Sequence, residues 1–242
     1  MGEAALWGLV AASSLVFGAE VALRYDLARR TVGLVMALGV GMLISSIAFE
    51  LVVPAGAQLG TAVASLGLLT GALVFFGGDW YIGHLGGNRR KSPVAGDEGS
   101  SGLGIVLGTV LDGIPESAVL GMSLASGAGI SAALVSAIWI SNVPESLGST
   151  TNLTTGGMSP GRIRLMWILI AALSGLAAAA GFRFVEDSSR ATGSLVQAFA
   201  AGSLLTMIAD EMAPEAFSPS GLLTGVATAA GFVVGYALSS VE

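Results

Sequence analysis

Residues 103–125 read LGIVLGTVLDGIPESAVLGMSLA, and residues 130–150 read ISAALVSAIWISNVPESLGST. Each stretch is mostly apolar and about 20 residues long, which is the length that a helix needs to cross the hydrocarbon core of a bilayer. Six further windows of this kind lie at 5–25, 32–53, 62–82, 165–184, 194–212 and 222–238. The sequence therefore predicts an all-α polytopic membrane protein with eight transmembrane helices.

The composition excludes a soluble protein of this length. Of the 242 residues, 53% are hydrophobic and only 11% are charged, and the mean hydropathy is +0.81. These values are typical of membrane proteins, and the apolar windows leave no sizeable soluble portion. We therefore expect residues 1–242 to form a single transmembrane domain. Because the chain has no cysteine, disulfides and thiolate metal sites are excluded.

The basic residues predict how the chain is oriented in the cell membrane. Lys and Arg are retained on the cytoplasmic side of membrane proteins. One set of alternate links between the predicted spans contains only Arg183 and Arg190. The other set contains eight basic residues, which are Arg24, Arg29, Arg30, Arg89, Arg90, Lys91, Arg162 and Arg164. This asymmetry predicts that both termini lie outside and that the long polar loop 84–101 is cytoplasmic.

Two of the windows carry acidic residues near their middle, where an ionisable side chain is costly and so indicates a functional site. In the fourth window Asp112 and Glu116 are four residues apart and share one helix face. The fifth window repeats the pattern, because its Pro-Glu-Ser at 144–146 matches the Pro-Glu-Ser at 115–117. Each proline also frees the carbonyl group four residues earlier, which could serve as an oxygen ligand.

The short link 126–129 predicts that the fourth and fifth helices pack antiparallel. They could then bring together the oxygen-bearing side chains Asp112, Glu116, Ser141, Asn142 and Glu145. A negatively charged site made only of oxygen ligands suits a divalent cation. The alternative is that the prolines only kink the helices and that each acid is neutral and hydrogen-bonded to a Ser or Asn.

A second internal similarity relates residues 41–54, GMLISSIAFELVVP, to residues 201–214, AGSLLTMIADEMAP. Both segments end in a proline that follows an acid by four residues, so Glu50 matches Asp210. Because the two helices run in opposite directions, the similarity predicts an inverted repeat of the first and last three helices around a central two-helix pair. Glu50 and Asp210 would then lie on a metal pathway, near the outer and the inner face. Alternatively these acids mark helix ends at the interface, which is the preferred interpretation for Glu211 and Glu215.

These residues resemble the ZIP family (Zrt- and Irt-like proteins) of metal transporters. The family's fourth helix carries His-Asn-x-Pro-Glu-Gly, and its fifth carries His-Glu-x-Pro-His-Glu or a variant with Pro-Glu-Gly. Here the matching positions begin with Asp112 and Ser141 and keep the Pro-Glu core. The resemblance covers the whole chain, including eight spans, outside termini, a variable loop after the third span and proline-ended second and seventh helices.

The resemblance implies that Asp112, Glu116, Ser141, Asn142 and Glu145 bind a divalent metal ion, such as zinc, iron or manganese, as the transported substrate. Without imidazole, harder ions than zinc are favoured. The metal would enter near Glu50 and leave past Asp210, with no enzymatic step. The expected partners are metal ions and the lipid bilayer, with a homodimer as one assembly and no nucleic acid. The alternatives are a non-transporting metal sensor with the same fold and an intramembrane carboxylate enzyme, whose pair of Tyr-Asp and Gly-x-Gly-Asp motifs is not present.

Overall fold

A computed structural model describes residues 1–84, 102–125 and 130–241, and only the backbone of residues 82–84 and 102–112. The predicted loop 84–101, apart from its first residue, and the predicted link 126–129 lie outside this part of the chain.

The described residues form eight helices and no strand. Each of the eight apolar windows falls on one of these helices, so the predicted all-α class is confirmed. The helices are α1 (Gly2–Arg24), α2 (Arg29–Leu59), α3 (Thr61–His84), α4 (Gly102–Ser123), α5 (Ala132–Thr155), α6 (Pro160–Glu186), α7 (Arg190–Ser220) and α8 (Leu223–Ser239).

Within the described part of the chain, five helices are long and apolar enough to cross a membrane, namely α1, α2, α3, α6 and α7. α8 is also apolar but is only 17 residues long. Many of the large exposed side chains on these helices are aliphatic, as expected where a helix faces lipid. These features are those of a membrane protein.

α2 and α7 each contain a wide π-helical turn, at Ile47–Val52 and Ile208–Met212. Pro54 and Pro214 follow these turns and lie in the first turn of the next α-helical segment, where a missing N–H costs little. Both helices therefore continue past their proline. The expectation that these prolines end the second and seventh helices is wrong, because the π turn places each proline at a new helix start.

The helices form two groups according to their main contacts. α1 packs against α5 and α6, and α4 packs against α6, whereas α2 packs against α8, and α3 against α7. In the second group a Cβ atom on Gly231 would collide with the Leu38 carbonyl, and one on Gly71 would collide with the Phe199 carbonyl. Glycine thus permits the close backbone approach that is common between membrane helices. α2 also contacts α5 and so joins the two groups, and Gly39 of α2 lies against Ser141, just before the Pro-Glu-Ser segment of α5.

Candidate metal centre

Both Pro-Glu-Ser segments lie inside continuous helices. Pro115 is within α4 and Pro144 is within α5, and neither proline ends its helix. An internal proline leaves one backbone carbonyl without its usual helical donor, here at Leu111 and Ile140. The local sequence therefore supplies main-chain oxygen next to the acidic side chains in both helices.

Glu116 and Glu145 belong to two helices, α4 and α5, that contact each other. Glu116 of α4 is buried, with 3% of its surface exposed, and Glu145 of α5 is half-buried. The two carboxyl groups are close enough to interact electrostatically. Two like charges in such a place repel, and a cation between them would remove that cost. The pair is therefore suited to binding a positively charged ion.

Two neutral oxygen-bearing residues of α5 lie about one helical turn before Glu145. Ser141 and Asn142 are 1% and 4% exposed, respectively. The Ser141 hydroxyl donates a hydrogen bond to the Ile138 carbonyl over 3.0 Å, which leaves its oxygen lone pairs available. The amide of Asn142 likewise carries an oxygen that can bind a hard cation.

Close packing of neighbouring helices fixes the position of α5. A Cβ atom on Gly39 of α2 would lie 2.8 Å from the Ser141 Cα atom, so α2 touches the α5 backbone at this level. On another side, Gly18 of α1 approaches the Val143 carbonyl, directly before Pro144. These glycines allow α1 and α2 to pack against the segment that carries the candidate ligands.

The position of Asp112 is only partly described. Its backbone lies in α4, one turn before Glu116, but its side chain lies outside the described residues. Among the side chains that are described, no three acidic or histidine residues come close enough to hold a metal ion together. The predicted ligand set therefore stays a prediction, with Glu116 and Glu145 on contacting helices and the buried Ser141 and Asn142 one turn before Glu145 in α5.

The two predicted pathway acids lie in the π turns. Glu50 is half-buried in the turn of α2, whereas Asp210 is exposed in the turn of α7. Its neighbour Glu211 is half-buried. π turns inside α-helices are frequent at functional sites, because they displace backbone groups from the regular helical pattern.

Sequence reasoning missed one polar residue next to the centre. Ser174 of α6 is 2% exposed, and its hydroxyl oxygen would lie 3.7 Å from a Cβ atom on Gly113 of α4. Serine is common where membrane helices pack against each other, so the sequence did not indicate that Ser174 lies near the candidate site. Gly113 leaves room for this hydroxyl one turn before Ser117.

No protein-family model matches the chain, and no curated protein sequence matches it. The interpretation of the centre therefore depends on the residues and their arrangement.

Proposed function

We propose that this chain is a ZIP-like divalent metal ion transporter of the cell membrane, with eight membrane-crossing helices and both termini outside. The observation that carries this proposal is the electrostatic interaction between Glu116, which is buried, and Glu145, which is half-buried, from two Pro-Glu-Ser segments on different helices. Two carboxylates, hydroxyl and amide oxygens and freed carbonyls are the ligands preferred by hard divalent cations. The metal ion is the substrate, and no covalent chemistry is required.

The contacts between helices support an inverted repeat. If α1 corresponds to α6, α2 to α7, α3 to α8 and α4 to α5, then the α2–α8 contact corresponds to the α7–α3 contact. In the same way the α1–α5 contact corresponds to the α6–α4 contact, and all four contacts are present. Such repeats are common in secondary transporters, where the substrate binds between them near the bilayer midplane.

Local geometry supports a register for this repeat that differs by one residue from the one expected from the sequence. α2 and α7 both end at a glycine with positive φ, Gly60 and Gly221. Ile47 and Ile208, where the two π turns begin, are separated by the same number of residues as Gly60 and Gly221. This register pairs Glu50 with Glu211, and both are half-buried whereas Asp210 is exposed. We therefore include Glu211, together with Glu50 and Asp210, among the acids of the metal pathway.

The two helix groups suggest how the site could be exposed to either side. The group of α1, α4, α5 and α6 carries the candidate ligands, while the other group of four carries the π turns with the pathway acids. We propose that one group moves against the other, so that the Glu116–Glu145 centre faces Glu50 in one state and the acids of α7 in the other.

The test is metal flux into proteoliposomes, combined with metal binding in detergent. Glu116→Gln and Glu145→Gln each keep the side-chain shape and remove one charge, so we expect the fold to survive and both binding and flux to fall at least tenfold, which corresponds to about 1.4 kcal/mol. Glu186→Gln, at the exposed end of α6, is the control and should retain both activities.

Three outcomes separate the candidate functions. Flux that depends on both glutamates supports transport. Metal binding without flux in the unmodified protein would indicate the metal-sensor alternative. Flux at the unmodified rate in a well-folded Gln variant would contradict the shared carboxylate site.

A further inference from the structure

A cavity of about 430 Å³ lies in the angle between the end of α2 and the start of α3. This volume is within the range of small-molecule binding sites. The two helices reverse direction at the single residue Gly60, and the cavity lies beside this reversal. It is lined by Val52, Val53, Gly56, Ala57, Thr61, Ala64, Ser65, Leu68 and, from α7, Ala198.

The lining of this cavity is uncharged. Seven of its residues are aliphatic or glycine, and only Thr61 and Ser65 carry a polar group in their side chains. Water is stable in a cavity when it finds two to four hydrogen-bonding partners, which a lining of this kind supplies poorly. An empty cavity is also unfavourable, because its walls lose van der Waals contacts. The chemistry of the lining therefore favours hydrocarbon.

The cavity opens toward the surface that faces lipid. Val53, Ala57, Thr61 and Ser65 are all exposed, and they belong to two helices that are long and apolar enough to cross a membrane. The adjoining face of α3 continues with large exposed aliphatic side chains, Leu66, Leu69 and Leu73. An acyl chain lying along this face can enter the cavity without crossing a polar boundary.

We propose that this cavity binds an acyl chain of a membrane phospholipid from the leaflet at the α2–α3 end. Thr61 and Ser65 are one turn apart at the start of α3, where their hydroxyl groups can donate hydrogen bonds to the ester carbonyl of the lipid. The hydrocarbon then lies against Val52, Val53 and Leu68. This inference depends on the membrane location of the chain and is independent of metal transport.

The test uses a phosphatidylcholine that carries a photoreactive diazirine in its acyl chain. The protein is reconstituted in phosphatidylcholine vesicles containing this probe and irradiated, and the labelled residues are mapped by peptide mass spectrometry. We expect the cavity residues to be labelled several-fold more than Leu69 and Leu73, which face ordinary lipid.

Glycine positions provide matched variants. A Cβ atom on Gly56 has no neighbouring atom within 4 Å, and Gly56 lines the cavity, so the side chain of Gly56→Leu should occupy part of it. Gly77 on α3 has equally open surroundings and does not line the cavity, so Gly77→Leu is the control. Gly56→Leu should reduce labelling of Ser65 and Leu68 several-fold, and Gly77→Leu should not. Ala57→Leu, another exposed lining position, provides a second filled cavity if Gly56→Leu folds poorly.

Equal labelling of the cavity and of Leu69 would overturn the proposal, since it would indicate only lipid that surrounds the protein. Labelling that Gly56→Leu or Ala57→Leu leaves unchanged would also overturn it. A loss of cavity labelling as the protein-to-lipid ratio rises would show that a second copy of the chain occupies the cavity instead.

Discussion

Glu116 and Glu145 differ in exposure although both follow a proline in the same tripeptide. Glu116 is almost fully buried, whereas Glu145 is half-buried. A carboxylate binds a cation more strongly when it is buried than when water surrounds it, because the electrostatic attraction is stronger where water is excluded. In the proposed centre Glu116 is therefore the inner ligand, and Glu145 lies on the side from which a metal ion enters or leaves.

The leading positions of the two motifs determine which metal ion the centre prefers. With Asp112 and Ser141 in place of imidazole, the proposed ligands are all oxygen. We predict that the double variant Asp112→His and Ser141→His binds zinc more tightly relative to manganese than the unmodified protein does, because imidazole favours zinc. Competition binding in detergent measures this ratio.

Ser136→His, more than one turn before Ser141 on α5, is the matched control and should leave the preference unchanged. If the double variant and the control had the same zinc-to-manganese ratio, the ions would bind at another place in the protein.

At the scale of the helices, α2 and α5 are in close backbone contact beside the candidate ligands. We predict that Gly39→Ala lowers the free energy of unfolding by about 1–3 kcal/mol, because its Cβ atom would lie 2.8 Å from the Ser141 Cα atom and backbone cannot move aside as a flexible side chain can. Thermal unfolding in detergent measures the change, and flux should fall with it.

Gly77→Ala is the control for this prediction, because a Cβ atom there meets nothing within 4 Å. Alanine is the better helix former, so this variant should be as stable as the unmodified protein or slightly more stable. Equal stability of the Gly39→Ala and Gly77→Ala variants would show that α2 does not need close contact with α5.

The π turns and the glycine ends of α2 and α7 are also features of whole elements. Gly60 and Gly221 have φ values of 79° and 59°, which side chains other than glycine rarely adopt. They allow α3 and α8 to begin directly after the preceding helix, and α3 then packs against α7 and α8 against α2. α2 and α7 thus share a π turn, a proline and a glycine end in the same order.

At the scale of the whole molecule, the distribution of basic residues predicts the orientation in the membrane. We predict that a single cysteine at Ser92 is protected from a membrane-impermeant thiol reagent in intact cells, whereas one at Asp187 is labelled, because positive charge is retained in the cytoplasm. The chain has no native cysteine, so each label reports one position.

If a cysteine at Ser92 were labelled from outside and one at Asp187 were protected, the orientation would be the opposite of the predicted one. Labelling of both from the same side would require an even number of crossings between them, in conflict with the three crossings, by α4, α5 and α6, that the proposed topology has there.

The sequence by itself determined the helical class, the position of each helix and the presence of acids within two of them. These properties are local, because a run of apolar residues of sufficient length forms a helix in lipid whatever its neighbours are. The sequence also indicated Glu116 and Glu145, since an acid in such a run is conspicuous. It was misleading at Pro54 and Pro214, where the preceding π turn lets each helix continue.

Only the tertiary structure decided which helices are partners. α4 packs mainly against α6 and α5 against α1, although α4 and α5 are neighbours in sequence. It also showed that Glu116 is the more buried glutamate and that Ser174 lies near Gly113. In lipid nearly every face of an apolar helix is equally apolar, so periodicity does not mark the packed face. Each helix is instead matched to its partner by glycines that fit against the backbone of a helix far away in the sequence. No local sequence pattern indicates this fit.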